Sequence, residues 1–372
     1  MDIYWLGVES IMRRENFVLT NLRRQIFEQV PLLAFAALHT TFSSLALIFY
    51  GFPAHPFFFE RLVTFGTNLG AGMLALVAMQ FFKMAVYDRP DRPLVALFRS
   101  VASIFTNGRC VAGFCVIAVT NTFLFNFLVM KRAIPWFSPF SWDATFDKWD
   151  TAIHFGYRPW EILQPVLAYG PITKILDFNY YMWGWVLIIY VLHFAFFEQN
   201  NHNRNRGILA YMLVWTVGGT LLATVFSSAG PCYFQYLGLG YDPYRGLMQY
   251  LASVDQSYPL ITSGIQADLW DGYLKQNADA MSMGVSAMPS MHNAQAFLLV
   301  LAAWNKGRLV RGLAITYCAL IFVASVHLGW HYAVDAYLAY VIVGVAWPVA
   351  DWLARKWENR LGMPEGAITA TR

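Results

Sequence analysis

The chain has 372 residues, of which 58% are hydrophobic and only 13% charged, against about 25% charged in average soluble domains. This composition excludes an ordinary soluble globular protein, and with a net charge of only +4 no nucleic-acid partner is expected. Four cysteines (Cys110, Cys115, Cys232, Cys318) make no C-x-x-C or zinc-ribbon pattern and read as small buried hydrophobes.

The first thirty residues are polar and carry Arg13, Arg14, Arg23 and Arg24, so they read as a cytoplasmic segment ahead of a signal anchor, with no removable signal peptide. Eight apolar segments then follow near 31–50, 63–82, 110–130, 181–197, 208–226, 290–304, 312–328 and 331–350, each close to the twenty or so residues a bilayer needs. Between the second and third, Asp88-Arg89-Pro90-Asp91-Arg92-Pro93 reads as a loop, because proline disfavours helix at the residue before it. Residues 131–180 hold Trp136, Trp142, Trp149 and Trp160 among Pro and Asp, which predicts interfacial or re-entrant helices. Residues 227–289 are rich in Tyr and Asp, Asp279 among them, and lead directly into Pro289, so they read as a lid. Most Lys and Arg fall on alternate connections: the N-terminus, 83–109 (Lys83, Arg89, Arg92, Arg99, Arg109), Arg204 and Arg206, Lys306 to Arg311, and the tail. The positive-inside rule then places both termini in the cytoplasm and the intervening loops on the exoplasmic side.

Two short motifs stand at the mouths of apolar helices on that exoplasmic side: Pro289-Ser290-Met291-His292 and His331-Tyr332-Ala333-Val334-Asp335. A histidine four residues before an aspartate on a helix shares its face, so the carboxylate can hold one imidazole nitrogen and leave the other free to attack or bind metal. A second histidine beside a Pro-Ser turn at a helix start predicts an anion site with its own proton donor. Ionisable groups at membrane depth are costly, which marks all three as functional candidates. His39 and His193, inside apolar segments, read as satisfied packing histidines, and His154 and His202 as surface groups. Asn121 and Asn126 read as interhelical hydrogen-bond partners.

Ala287-Met288-Pro289-Ser290-Met291-His292, followed by Gly329-Trp330-His331-Tyr332 through Asp335 to Tyr337, resembles the type-2 phosphatidic acid phosphatase superfamily. It looks more closely like the branch containing the fungal inositol phosphorylceramide synthases, and the run from His331 to Tyr340 is also similar to the last motif of sphingomyelin synthases. Ala229-Gly230-Pro231-Cys232-Tyr233 resembles a Gly-Pro-aromatic motif of the synthase branch. The resemblance covers roughly 110–350 and implies a six-helix core, so with the eight apolar segments the chain reads as an all-α polytopic membrane protein of about eight transmembrane helices with interfacial helices. Residues 1–109 would be a cytoplasmic segment with two added transmembrane helices, 110–350 a six-helix catalytic core with an exoplasmic lid at 227–289, and 351–372 a cytoplasmic tail. It further implies that His331 is the nucleophile forming a phosphohistidine, that Asp335 orients it, and that His292 protonates the leaving oxygen. Ser290 and the turn amides would hold phosphate oxygens, with Gly230, Pro231, Tyr233 and Tyr332 also at the substrate. No metal or other cofactor is implied, and the partners are membrane lipids: a phospholipid donor and a lipid or polyol acceptor.

The chain departs from the superfamily in two places. The first phosphatase motif is Lys, six residues, then Arg-Pro; the nearest match, Lys83 to Arg89-Pro90, is one residue short and falls on the cytoplasmic side. An Arg expected upstream of the second histidine is replaced by Ala324, Ser325 and Val326. His327 is the candidate substitute clamp, or else a helix-end histidine bonded to a carbonyl, with Arg245 and Lys275 weaker candidates. These losses favour a transferase over a simple phosphatase. A lipid phosphate phosphatase on the same site, His327, His331 and Asp335 as metal ligands, and a proton-coupled transporter remain the alternatives. The absence of a long disordered tail and of eukaryotic sorting signals leans to a bacterial inner membrane.

Overall fold

Apolar runs that cross a bilayer have no water for their backbone and must satisfy it internally as helices. The computed structural model describes residues 23–52, scattered positions between 66 and 84, and 88–106, 110–275 and 284–361. Every regular element among the described residues is helical. We name them α1 (Val30–Phe49), α2 (Pro93–Thr106), α3 (Cys110–Phe137), α4 (Asp143–Ile153), α5 (Pro159–Leu167), α6 (Gly170–Tyr181) and α7 (Trp183–Leu192). There follow α8 (Asn201–Thr216), α9 (Arg245–Ser257), α10 (Ile261–Lys275), α11 (Met291–Ala303), α12 (Arg308–His327) and α13 (Ala333–Arg360). Six helical stretches are long and apolar enough to span a membrane: Val30–Phe49, Val111–Phe137, Gly170–Phe197, Asn201–Val225, Arg308–His327 and Ala333–Arg360.

These six answer to the first, third, fourth, fifth, seventh and eighth predicted segments. The second, 63–82, lies largely outside the described residues, as do Arg13, Arg14, Lys83, Arg109, Asp279 and the chain beyond 361. The sixth is a helix, α11, but its 13 residues make only about 20 Å of rise, short of a bilayer core. It starts deep in the protein, where Ser290 is fully buried, so non-helical backbone at 284–290 supplies the missing depth. Such backbone is tolerated at membrane depth only inside protein. The stretch 93–106, read as part of a loop, is the helix α2; the tandem prolines end at its first position, where a missing N–H costs nothing.

Two apolar clusters share α11. One joins α1, α3, α7, α8, α11 and α13 through Phe123, Phe127, Tyr211, Trp215, Leu298 and Val343. The other joins α4, α6, α9, α11 and α12 through Phe146, Leu176, Leu251, Val300 and Ile321. Alanines 294, 296, 339, 346 and 350 on α11 and α13 let these helices approach closely. Asn126 donates from α3 to Thr40 of α1 at 3.1 Å, an interhelical bond of the kind its position predicts. His39 packs its ring on Phe123 at 4.5 Å, but neither nitrogen has a hydrogen-bond partner among the described residues. His202 is no free surface group: its ring nitrogens meet Asp351 at 2.8 Å and Glu358 at 3.1 Å. That cluster lies about 27 Å along α13 from its start, at the end opposite the two motifs.

Candidate active site

The loop before α13 carries His331, two residues short of the first helical position. The His331–Asp335 contact is therefore made by a helix cap and not by one face of a helix. Asp335 sits in the first turn, and its Oδ2 accepts both the Tyr332 amide and His331 Nδ1, each at 3.1 Å. His331 is 6% exposed and Asp335 fully buried, with Asp335 Oδ1 meeting no partner among the described residues. Burial, and secondarily the nearby Lys131 ammonium, push the His331 imidazole down to about 3, against the opposing contribution of a hydrogen bond with the Ala287 backbone. His331 is thus neutral at physiological pH, with a lone pair on one nitrogen.

The sign of this shift predicts a stability effect. Unfolded imidazole takes up a proton below its ordinary 6.5, whereas folded His331 does so only near 3. Stability is therefore lost as pH falls through that window, by about 1.4 kcal/mol per pH unit for one group. His331→Gln is expected to flatten the fall of the thermal midpoint between pH 6 and pH 4; an unchanged slope would show that His331 does not titrate this way.

His292 faces His331 from the second residue of α11, with 5.9 Å between ring centroids. Its ring lies between Tyr180, stacked at 4.4 Å, and Trp183 at 4.1 Å, and the Trp183 indole donates to the His292 carbonyl at 3.1 Å. Ser290 caps α11: its Oγ accepts from the Asn293 amide at 3.4 Å and from Asn293 Nδ2 at 3.0 Å. Asn293 Nδ2 also reaches Ser325 Oγ at 3.1 Å, and Tyr340 donates to Asn293 Oδ1 at 3.0 Å. The Ser290 amide is bound to the Asp335 carbonyl at 3.1 Å, which locks the two motifs together. Among the described residues, the amides of Met291 and His292 meet no acceptor, so the first two donors of α11 stay open.

The other sequence candidates are placed differently. His327 is fully buried, and its Nε2 meets the Thr173 hydroxyl at 2.9 Å, which in turn meets Tyr250 at 2.7 Å. It joins α6 and α9 to α12, and its partner is a hydroxyl where a carbonyl was expected. His327, His331 and Asp335 do not form a ligand set, because no group of three or more His, Cys, Asp or Glu among the described residues has metal-holding geometry. The Ala229 and Gly230 amides are taken by Asp143 at 3.0 and 2.8 Å, and Tyr233 donates to the Gln266 carbonyl at 3.0 Å. Pro231 is buried, and the Tyr332 hydroxyl donates to Asp143 at 2.8 Å. The polar groups of Gly230, Tyr233 and Tyr332 are thus spent inside the protein, packing residues 229–233 against 329–332. Gly230 adopts φ +105°, and a Cβ there would sit 2.8 Å from the Trp330 carbonyl oxygen. Gly230→Ala is accordingly expected to cost about 1–3 kcal/mol, read as a lowered thermal midpoint in detergent; an unchanged midpoint would remove this packing argument.

Lys131, near the end of α3, escapes a search for the Lys-x6-Arg-Pro motif. Its ammonium acts electrostatically on both His292 and His331, and no partner for it is found among the described residues. The backbone of Lys131 and Arg132 is brought in by Gly284 (φ +75°), whose added Cβ would lie 2.9 Å from Arg132 N and Lys131 O. The signal was present in degenerate form: after Lys131 and six intervening residues stand Ser138-Pro139, with serine where the motif has arginine.

Two neutral-capable histidines facing each other, a carboxylate behind one, and helix amides and a lysine without partners among the described residues make an anion-binding, nucleophilic centre. The family model for the PAP2 superfamily matches residues 144–349, more than half the chain. The chain belongs to the PAP2 superfamily. Members are membrane-associated phosphatases and phosphotransferases, so this PAP2 protein is one that acts at membrane lipids. The matched region contains His292, His331 and Asp335 but begins after α3, which supplies Lys131. Neither the curated proteins nor the solved structures contain a match to the chain.

Proposed function

We propose that this PAP2 protein is an integral-membrane lipid phosphotransferase that works through a phosphohistidine at His331. The reading is carried by His331 Nδ1 held on Asp335 Oδ2 at 3.1 Å with His292 facing it at 5.9 Å, a gap that accommodates a phosphoryl group between two imidazoles. With its Nδ1 proton engaged by Asp335, His331 presents Nε2 to phosphorus. Burial, His331 and Lys131 hold His292 toward the neutral form, so its proton has to arrive with the anionic ester bound beside it. The P–N bond then forms as the P–O bond to the leaving alcohol breaks, and His292 gives that oxygen this proton. Neutral His292 then takes the proton of an acceptor alcohol, whose oxygen attacks phosphorus and releases His331. Lys131 and the open amides of Met291 and His292 serve the non-bridging oxygens, where negative charge develops. Lys131 therefore takes the place of the missing clamps, which extends the catalytic core to 110–350.

The donor is a phospholipid and the acceptor a lipid or polyol alcohol such as a ceramide or diacylglycerol, with phosphoinositol one headgroup that suits the synthase resemblance. Among the described residues, Arg206 pairs with Asp351 far along α13 from the histidines and Lys306 with Glu198, which supports cytoplasmic termini and an exoplasmic site; the membrane is read as a bacterial inner one.

The test is a reconstituted assay with headgroup-labelled phospholipid, with and without candidate alcohols. A labelled transfer product, together with base-stable and acid-labile label on the peptide carrying His331, is the expected result. Free phosphate or phosphoalcohol alone, with every acceptor, would establish a phosphatase instead.

A further inference from the structure

Helix α4 carries three carboxylates, Asp143, Asp147 and Asp150, at positions that share one face, and all three are at most 3% exposed. Buried carboxylates are costly unless fully engaged, and each of these is. Asp147 holds the Arg158 guanidinium at 2.7 Å and the Tyr244 hydroxyl at 3.1 Å. Asp143 holds the 229–230 amides and Tyr332. Asp150 spans the start of α13: its Oδ2 accepts the Ala333 amide at 2.8 Å and its Oδ1 the Val334 amide at 2.9 Å. Sequence adjacency plays no part in this cap, since 183 residues separate Asp150 from Ala333.

The consequence concerns His331. Its loop ends where α13 begins, and the first three amides there are all taken, Tyr332 by Asp335 and the next two by Asp150. A helix N-terminus is itself an anion site. Closed by Asp150, that of α13 is withheld from the substrate, and of the two motif helices α11, among the described residues, offers the open amides. The same two bonds fix the direction of the first turn of α13, and so the position of Asp335 under His331. His154, one turn beyond Asp150, extends the brace: half-buried, it meets the Asp150 carbonyl at 2.7 Å and the Tyr337 hydroxyl of α13 at 2.9 Å.

We infer that Asp150 is a positioning residue for the His331–Asp335 pair, acting through a two-pronged carboxylate cap on the helix that carries Asp335. It touches neither His331 nor the reacting phosphorus. The inference rests on the phosphotransferase reading for its catalytic part, while its geometric part stands on the cap alone.

Asp150→Asn puts an amide N–H₂ against a backbone N–H and so loses one prong; Asp150→Glu keeps the charge but lengthens the arm. Two readouts separate the possibilities in the full-length protein in detergent: turnover of labelled phospholipid, and the rate at which diethyl pyrocarbonate modifies His331, followed by mass spectrometry. Both variants are expected to lower kcat by about 10–100-fold with KM changed less than about threefold, as misplacement by a fraction of an ångström does. Both are also expected to shift the His331 modification rate by more than about threefold. Asp147→Asn, on the same face but off α13, is expected to leave that rate unchanged. Unchanged kcat and modification rate in folded Asp150→Asn, or in Asp150→Glu should the first not fold, would overturn the inference. So would Asp147→Asn reproducing the effect, which would mean general loosening of α4. If no protein, wild type included, turns over phospholipid but the modification rates differ as stated, the positioning holds and the functional reading fails.

Discussion

His331→Ala is expected to lower phospholipid turnover by about 10⁴-fold or more, leaving no label on the protein. The size follows from what is removed. Without the imidazole no covalent intermediate forms, and the acceptor alcohol has to displace a poor leaving group directly from a charged phosphorus. Asp335, His292 and Lys131 can still bind and polarise the substrate, so binding is expected to persist while chemistry stops. Folding is expected to survive, because the His331 side chain gives up only its bonds to Asp335 and the Ala287 backbone, while its backbone amide keeps its bond to the Ser325 carbonyl. A His331→Ala protein that is monodisperse, thermally stable and still within about tenfold of wild-type turnover would sink the phosphohistidine mechanism.

Lys131→Met carries the next largest effect, a loss of about 10²–10³-fold in kcat/KM. Methionine keeps the length and apolar stem but removes a cation in electrostatic reach of both histidines. The loss should fall on both kcat and KM, since the ammonium meets negative charge in the bound ester and more of it in the transition state. Stability should be unchanged or slightly raised, because a partly buried ammonium without a partner is released from its desolvation cost. Lys131→Arg should recover part of the activity. If Lys131→Met retains full activity, Lys131 is no phosphate clamp, and Arg245 or Lys275 of the 227–289 connection regain their claim.

The membrane class, the helical architecture and the two histidine motifs were all legible in the chain, for physical reasons. A segment that must satisfy its backbone without water announces itself by twenty or so apolar residues, and six of the eight predicted segments are helices of that kind. Costly ionisable groups at helix mouths stand out against such a background, which is why His292, His331 and Asp335 could be singled out before any coordinates. Segment 290–304 shows the limit of the rule: length from hydropathy cannot tell a spanning helix from a short one whose entry is buried backbone. The stretch 93–106 shows another, because prolines that end a loop also begin a helix.

Partnership across long separations was settled only by the tertiary structure. Sequence offered His327 as a clamp because it lies one turn from His331, but packing turned it to Thr173 on α6. Gly230, Pro231 and Tyr233 looked like substrate contacts and became the brace behind the nucleophile loop, because Asp143 takes the Ala229 and Gly230 amides and Tyr233 donates to the Gln266 carbonyl. Lys131 and Asp150 look like ordinary charges in a long connection. The first is drawn to the histidines by a glycine at 284, the second to α13 by orphan amides that only a folded helix start exposes. Sequence alone determined which groups can do chemistry, since that depends on residue type and on the cost of placing it in a membrane. Which of them stand close enough to act on one another depended on how the helices pack, a property of distances between elements that no local pattern encodes.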